Sequence, residues 1–206
     1  PPAINFKMNV SGVILAAGKG TRMKSKIPKV LQSVSGKKLV LYALNVIEDI
    51  NTKYVVVGHE AQQVIEVLPD SINVVIQEEQ KGTGHAISVL LDDKKFAKDK
   101  SEYILVLPGD VPMINKNDTK NLIQKVIDSN SSMGFLTSEV SNPFGYGRVI
   151  QQDSQIKIVE EKDCTEDERL VNEINSGIYC FEKKFLLDHI NNLNTCLLYT
   201  SDAADE

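Results

Sequence analysis

Acidic residues are missing from the amino-terminal part of this 206-residue chain. No Asp or Glu precedes Glu48, whereas eight lysines and arginines give the first 47 residues a formal charge of +8. The remaining residues, with 15 basic and 28 acidic side chains, carry −13, so the net charge of −5 conceals a strong asymmetry. Positive charge confined to one short region suits a compact polyphosphate ligand better than a long nucleic acid, which usually requires a whole basic face.

Aromatic residues are scarce, at 6% of the chain, and tryptophan is absent. Proteins that bind single-stranded nucleic acid stack bases on aromatic rings, so this scarcity argues against that class of partner. No apolar run approaches the roughly 20 residues of a membrane-spanning helix, and no signal peptide is visible. We therefore expect a cytoplasmic protein whose partners include neither nucleic acid nor membrane.

Cysteines are few, and they are odd in number: Cys164, Cys180 and Cys196. Their spacing does not match a metal site, and the three histidines form no pair either, so reduced thiols are expected. Hydrophobic content of 42% and charged content of 25% are ordinary for a globular protein of one domain. We expect that domain over residues 8–195, truncated at its C terminus. Residues 1–7 resemble upstream read-through, and residues 196–206 resemble a translated sequencing adapter.

A glycine-rich, cationic loop follows the first apolar run. Residues 13–17 (VILAA) predict a buried parallel strand, and the loop Gly18-Lys19-Gly20-Thr21-Arg22 comes directly after it. Five basic residues, with no carboxylate among them, lie within and just after this loop: Lys19, Arg22, Lys24, Lys26 and Lys29. An exposed turn with solvated lysines is the alternative. The order of strand, glycines and charges favours phosphate binding, because backbone N–H groups and fixed charges converge there.

Strands and helices alternate along the first two thirds of the chain. We predict strands at 13–17, 54–57, 73–76 and 103–107, helices at 39–50, 62–68, 86–91 and 120–129, and a charged, solvated connection at 94–100. This pattern predicts an α/β fold with a doubly wound, mostly parallel, Rossmann-like sheet. Short strands at 134–139, 148–151, 157–160 and 178–181 predict a small mixed β extension.

Ligands of such sheets bind beyond the carboxyl ends of the strands, which places three loops together: the glycine loop, residues 77–85 and residues 108–112. Asp110 closes a predicted strand there. A turn residue bonded to its own backbone is the alternative, but a polyphosphate needs a divalent cation, so Asp110 is a candidate Mg²⁺ ligand. Gly82-Thr83-Gly84 offers N–H groups at a predicted helix start, where a simple cap at Thr83 is the alternative.

The glycine loop fits neither the dinucleotide fingerprint, whose third glycine is Met23 here, nor the P-loop. The pattern L-x-x-G-x-G-T-R-M-x-S-x-x-P-K resembles the signature loop of the sugar-nucleotide pyrophosphorylases. The stretches QEEQKGTGHA, PGDVP, NPFGYGRVI, VEEKD and EINSG extend the likeness to Gly177. Together they resemble the uridylyltransferase domain of the bifunctional N-acetylglucosamine-1-phosphate uridylyltransferase / glucosamine-1-phosphate acetyltransferase family.

This resemblance implies a Mg²⁺-dependent nucleotidyltransferase that makes UDP-N-acetylglucosamine and pyrophosphate from UTP and N-acetylglucosamine-1-phosphate, for cell-envelope polysaccharides such as peptidoglycan and lipopolysaccharide. The alternatives are another sugar-1-phosphate nucleotidyltransferase of the same fold, or a non-catalytic fragment that binds nucleotide sugars. The resemblance also implies that the intact protein is a homo-oligomer through an acetyltransferase domain absent here, and that a second metal ligand, an asparagine, lies beyond residue 206.

The same resemblance implies a role for particular residues. The nucleotide pocket would be shaped by the end of the first strand: Leu15, Ala16, Ala17 and Gly18. Gln77 and Gly82 would recognise uracil, with Thr83 beside them, and Gly109 would flank the ribose. The catalytic residues would be two phosphate-binding cations and the Mg²⁺ ligand: Arg22, Lys29 and Asp110. Three residues would hold the amino sugar: Gly147, Glu160 and Asn175. The sugar phosphate arrives ionised, so no general base is required.

Overall fold

The computed structural model describes residues 9–18, 20, 27–152 and 155–190. Within these ranges there are ten strands: β1 (Val10–Ala16), β2 (Ser33–Val34), β3 (Lys37–Lys38), β4 (Thr52–Val57), β5 (Asn73–Ile76), β6 (Tyr103–Pro108), β7 (Met133–Glu139), β8 (Arg148–Gln152), β9 (Gln155–Val159) and β10 (Glu173–Glu182). The same ranges contain six α-helices: α1 (Leu39–Val46), α2 (Ala61–Ile65), α3 (Thr83–Asp92), α4 (Lys116–Asp128), α5 (Glu166–Arg169) and α6 (Lys183–His189). Short 3₁₀ turns occur at Lys29–Leu31, Phe96–Lys98 and Glu161–Asp163.

The main sheet has eight strands in the order β5-β4-β1-β6-β10-β8-β9, with β7 also paired to β10. The strands β5, β4, β1 and β6 are parallel, whereas β10 runs antiparallel to β6. The chain leaves β1 toward β4 on one side and later returns to β6 on the other. This switch of direction opens a crevice at the carboxyl end of β1, the usual ligand position in doubly wound sheets. The predicted fold class is confirmed, and the β extension supplies the other four strands.

Helices cover both faces of the sheet, and the side chains of β1 alternate between the two resulting cores. Ile14 and Ala16 face a core that includes apolar residues of α1, α2 and α4. Val13 and Ala17 face a second core that includes α3 and α6. Both faces of β1 are therefore buried, which explains its nearly continuous apolar sequence.

The prediction of a solvated connection at 94–100 is wrong for Phe96, whose side chain is fully buried. Asp93 Oδ1 accepts hydrogen bonds from the N–H groups of Lys95 and Phe96, at 2.8 and 3.0 Å. This turn directs the Phe96 ring inward, where it packs edge-to-face on Tyr54 with ring centroids 5.0 Å apart. Lysines around one aromatic residue hid this short anchor in the sequence.

Several element bounds also differ from their predictions. The first helix ends at Val46, and α4 begins earlier than expected because the Asn115 side chain caps its N-terminus by accepting from the Asn117 N–H, at 2.8 Å. Strand β10 is ten residues long and therefore includes Asn175. Cys164 and Cys180 are buried free thiols, as expected.

Predictions about residues 1–7, 196–206 and Cys196 lie outside the described residues. In the part of the chain that the structure describes, no helix combines the length and the apolar composition needed to cross a membrane.

Candidate active site

Backbone hydrogen bonds join the loops at the carboxyl edge of the parallel strands. The Gly109 N–H, after β6, donates to the Leu15 carbonyl of β1 at 2.9 Å. On the other side of β1, the His59 N–H donates to the Ala17 carbonyl at 3.3 Å. Four predicted pocket residues therefore share one edge of the sheet, with Gly18 immediately beyond it: Leu15, Ala16, Ala17 and Gly109. We call this the nucleotide edge.

Two glycines allow close backbone approach at this edge. A Cβ atom on Gly109 would stand 2.9 Å from the Leu15 carbonyl oxygen, closer than real contacts permit. Gly20 has φ +61°, and a Cβ there would stand 2.9 Å from the Lys29 Cβ. The left-handed conformation and the lack of a side chain thus let Gly20 lie against Lys29.

Gln77 forms the other wall of the predicted nucleotide pocket and is 2% exposed. Its N–H donates to the Val57 carbonyl at 2.7 Å, which fixes it beyond β4 and β5. Its Nε2 lies 2.8 Å from His85 Nδ1 and donates to the Gly82 carbonyl at 3.4 Å. These two contacts hold the Gln77 side chain between His85 and the start of α3.

The turn at the start of α3 needs a glycine. Gly82 takes φ +91° at the N-cap position, and Thr83 is the first helical residue rather than the cap. The Gly82 carbonyl accepts the first helical hydrogen bond, from the Ala86 N–H at 3.1 Å. The N-terminus of α3 thus lies beside Gln77, but residues 83–85, predicted as part of a loop, already belong to the helix.

Lys29, the first residue of the 3₁₀ turn Lys29–Leu31, forms an ion pair with Asp110 just beyond the end of β6. Lys29 Nζ lies 2.7 Å from Asp110 Oδ2, and the two side chains are 46% and 25% exposed. The predicted phosphate-binding cation and the predicted metal ligand are thus in direct contact. Arg22, the third predicted catalytic residue, lies outside the described residues.

The donors around Asp110 fit a Mg²⁺ ion that is shared with a polyphosphate. Asp110 supplies one partly exposed carboxylate, and its Oδ2 already contacts the ammonium group of Lys29. No cluster of three or more His, Cys, Asp or Glu side chains occurs within the described residues. One carboxylate completed by phosphate and water oxygens is how Mg²⁺ is usually bound at such sites, whereas an all-protein cage is not.

A second group of predicted residues lies where β8, β9 and β10 meet. The Asn175 N–H donates to the Gly147 carbonyl at 2.9 Å. A Cβ on Gly147 would lie 3.3 Å from Glu160 Oε1, so Gly147 and Glu160 are also neighbours. The three residues predicted to hold the amino sugar are therefore close together, although Gly147 and Asn175 are 28 positions apart in the sequence. We call Gly147, Glu160 and Asn175 the sugar group.

Burial raises the pKa of Glu160, and the nearby negative charge of Asp163 raises it further. Lys162 lowers the pKa of Glu160, but burial has the larger effect. A carboxyl group whose pKa is raised by desolvation is often found at a ligand site. Glu160 is therefore the electrostatically strained member of this group.

Sequence reasoning missed Tyr179, which positions Asn175. Asn175 Nδ2 donates to the Tyr179 hydroxyl, and Asn175 Oδ1 accepts from the Gly177 N–H at 3.1 Å. The pairing of β10 with β7 shifts register between Asn175 and Tyr179, and Gly177 takes φ +75° within this irregularity. The glycine in the quoted stretch EINSG is the sequence signal for the bulge, but nothing local identifies Tyr179.

This irregularity in β10 lies between the sugar group and the Lys29–Asp110 ion pair. A Cβ on Gly177 would lie 3.8 Å from Pro108 Cγ, and Pro108 ends β6 two residues before Asp110. The nucleotide edge, the Lys29–Asp110 pair and the sugar group therefore follow one another across the carboxyl end of the sheet.

Comparison with known proteins shows the family of the chain. The MobA-like NTP transferase domain matches residues 12–156. The chain belongs to this family. The match runs from within β1 to the start of β9 and therefore includes the Lys29–Asp110 pair. It lies inside the predicted domain of residues 8–195, whose bounds stay a prediction.

Curated relatives of this MobA-like NTP transferase domain carry the name Bifunctional protein GlmU. The one from Clostridioides difficile (strain 630) is 44% identical over 195 residues, 91% of this chain and 42% of the relative. The one from Clostridium novyi (strain NT) is 44% identical over 192 residues, with 91% and 41% covered. The one from Streptococcus uberis is 43% identical over 187 residues, with 89% and 40% covered. The resemblance to the bifunctional family is thereby confirmed, and the chain spans about two fifths of these relatives' length.

A solved structure has a similar fold. A protein from Bacillus anthracis assigned as a glucose-1-phosphate thymidylyltransferase, in complex with sucrose, has a TM-score of 0.76 at 20% identity. The likeness covers 92% of this chain and 78% of that chain, and at this identity it shows the fold alone. The family match and the curated relatives show that this chain is a nucleotidyltransferase.

Proposed function

We propose that this nucleotidyltransferase joins UTP and N-acetylglucosamine-1-phosphate to form UDP-N-acetylglucosamine and pyrophosphate, a cytoplasmic step that supplies cell-envelope polysaccharides. The observation that supports the proposal is the Lys29–Asp110 ion pair, 2.7 Å long, between the nucleotide edge and the sugar group. A cation and a metal-binding carboxylate at that point suit a bridging triphosphate. The names of the curated relatives support the same activity class.

The proposed reaction needs no proton transfer. A phosphate oxygen of the sugar-1-phosphate attacks the α-phosphorus of UTP, the bond from that phosphorus to the bridging oxygen breaks, and the electron pair leaves with pyrophosphate. Catalysis then depends on orienting the two phosphates and on stabilising the negative charge that spreads over their oxygens.

Each group of residues would have one task in this reaction. Lys29 would turn its ammonium group from Asp110 to the phosphates, where its point charge is useful. Asp110 would hold Mg²⁺, which supplies charge neutralisation at the phosphates when bound. Gln77 and Gly82 would hold the base, and Gly147, Glu160 and Asn175 would hold the sugar.

The experiment that tests the proposal measures pyrophosphate release by the 206-residue chain with UTP, TTP and CTP against several sugar-1-phosphates. We expect the highest kcat/KM for UTP with N-acetylglucosamine-1-phosphate, and none without a divalent cation. A preference for TTP or for glucose-1-phosphate would favour another nucleotidyltransferase of this fold. Tight binding of UDP-N-acetylglucosamine without any pyrophosphate release would instead indicate a binding fragment.

A further inference from the structure

Arg148 is the only charged side chain among the fully buried polar residues of the described part of the chain, with 2% of it exposed. It is the first residue of β8 and pairs with Val159 of β9. Its Nη2 lies 2.7 Å from Glu161 Oε2, and its Nη1 donates to the Tyr146 carbonyl. One guanidinium group therefore holds both a turn and a carboxylate.

Glu161 joins three elements through its two oxygens. Oε2, which contacts Arg148, also accepts the Gly145 N–H at 3.0 Å. Oε1 faces the other way and contacts Nη1 of the half-exposed Arg169 in α5, at 3.2 Å. The Gly145 N–H, followed by the Arg148 guanidinium, lowers the pKa of Glu161 below its usual range, so the carboxylate stays ionised. We call Arg148, Glu161 and the backbone of Gly145 and Tyr146 the turn clamp.

The turn clamp lies directly beside the sugar group. Gly147 is held between Tyr146 and Arg148, and its carbonyl accepts from the Asn175 N–H at 2.9 Å. Glu160 precedes Glu161 at the start of the same 3₁₀ turn. Each of these two predicted sugar ligands is therefore the immediate neighbour of a residue of the turn clamp.

The arrangement is not one that stability alone would favour. Burying the Arg148 guanidinium costs desolvation energy that its contact with the partly exposed Glu161 has to offset, and an apolar pair of similar volume is often as stable. Arg148 Nε is buried without a hydrogen-bond partner among the described residues, which adds a further cost. Directional bonds to a turn, made at such cost, are typical of a group that must fix one geometry.

We propose that Arg148 and Glu161 are positioning residues that hold Gly147 and Glu160 in place for the sugar phosphate. The inference rests on the proposed function, because that function makes Gly147 and Glu160 sugar ligands. If the turn clamp acts through these residues, its loss should weaken the binding of the sugar phosphate and leave the binding of UTP unchanged. Gln77 and Gly82 follow β5, which lies on the opposite side of β1 from β10.

Two variants and a control test this proposal. Glu161→Gln keeps an acceptor for the Gly145 N–H but removes the charge, and Arg148→Met fills the same space without polar contacts. The control is Arg169→Gln, which removes a cation from the same carboxylate, whereas the side-chain hydrogen bonds of Arg169 within the described residues go to Glu161 and the Cys164 carbonyl and not to the turn. The KM of each substrate, kcat and the melting temperature are measured with the sugar phosphate that the wild type uses best.

We expect KM for the sugar phosphate to rise about tenfold in both variants, while KM for UTP stays unchanged. Equilibrium binding of the sugar phosphate should weaken by a similar factor, and Arg169→Gln should behave as the wild type. Arg148→Met and Glu161→Gln each leave one member of the pair without its partner, so both should melt below the wild-type temperature, and the proposal is tested by the difference between the two KM values.

Equal changes in both KM values, or a lower melting temperature with unchanged KM, would overturn the proposal and leave a purely structural pair. These outcomes differ from a failure of the proposed function, which would appear as a wild-type chain that releases no pyrophosphate with any substrate pair. That result would remove the inference together with its basis.

Discussion

Glu160 and Glu161 are neighbours in sequence with opposite electrostatic surroundings. Burial raises the pKa of Glu160, whereas the Gly145 N–H and the Arg148 guanidinium lower the pKa of Glu161. The difference arises because Glu160 is desolvated beside Gly147, whereas Glu161 accepts a hydrogen bond from the Gly145 N–H and contacts the Arg148 guanidinium. A single carboxyl pair can thus provide one ligand and one fixed structural anion.

Glu160→Gln should stabilise the fold at neutral pH. A carboxyl whose pKa is raised by folding adds stability below its ordinary pKa of 4.5, and this contribution is lost as pH rises through the folded value. The glutamine variant does not titrate, so its melting temperature relative to wild type should increase from pH 4 to pH 8. Thermal melts across that range check this, with the exposed Glu139→Gln as control. A constant difference would contradict the burial effect.

Asp110→Asn should abolish most metal binding in the presence of UTP. A hard cation prefers an anionic oxygen, so we expect the affinity for Mn²⁺, used as a spectroscopic substitute for Mg²⁺, to fall roughly tenfold or more. Electron paramagnetic resonance of free Mn²⁺ measures this without relying on turnover. The exposed Asp70→Asn variant serves as the control, and an unchanged Mn²⁺ titration for Asp110→Asn would exclude Asp110 as a ligand.

At the scale of elements, a glycine determines how α4 packs on β7. A Cβ on Gly134 would lie 2.7 Å from Val126 Cγ2 and 3.1 Å from Leu122 Cδ1, both on α4. The helix therefore rests directly on the strand backbone. This contact explains a glycine inside a strand, where its flexibility would otherwise only weaken the structure.

Gly134→Ala should destabilise the protein by about 1–3 kcal/mol, the usual cost of overpacking a filled core. Urea denaturation measures the change in the free energy of unfolding. Gly18→Ala is the matched control, because a Cβ there meets no described atom within 4 Å. Equal midpoints for the two variants would show that α4 shifts without cost.

At the scale of the whole molecule, Phe96 links distant parts of the chain. Its ring packs on Tyr54 of β4, and Lys183 Nζ of α6 lies 4.5 Å above it. The same ammonium group donates to the carbonyls of Phe96 and Asp99, at 3.2 and 2.6 Å. The connection between α3 and β6 is thereby attached both to the core and to the last described helix.

Phe96→Ala should lower the free energy of unfolding by about 3–5 kcal/mol, since it leaves a cavity beneath this connection. Chemical denaturation is the measurement, and Phe144→Ala, whose side chain is 74% exposed, should change the value by less than about 0.5 kcal/mol. A small effect at Phe96 would mean that the connection contributes little to the common core.

The sequence by itself determined the features that are continuous along the chain. Apolar runs predicted the parallel strands, and the glycines Gly18 and Gly20 predicted a tight turn after the first of them. The position of Asp110 after a strand made it a candidate metal ligand. These signals are readable because strand periodicity, backbone freedom and charge are properties of consecutive residues. The family resemblance, carried by contiguous stretches, could be recognised for the same reason.

Only the tertiary structure decided which distant residues meet. It joined Arg148 to Glu161, Asn175 to Tyr179 and the Phe96 ring to Tyr54, and it showed that Lys29 contacts Asp110. Residues of this kind have no local periodicity, since each partner comes from a different strand or turn. Their proximity follows from sheet order and register, which depend on packing of the whole chain and not on the composition of any one segment.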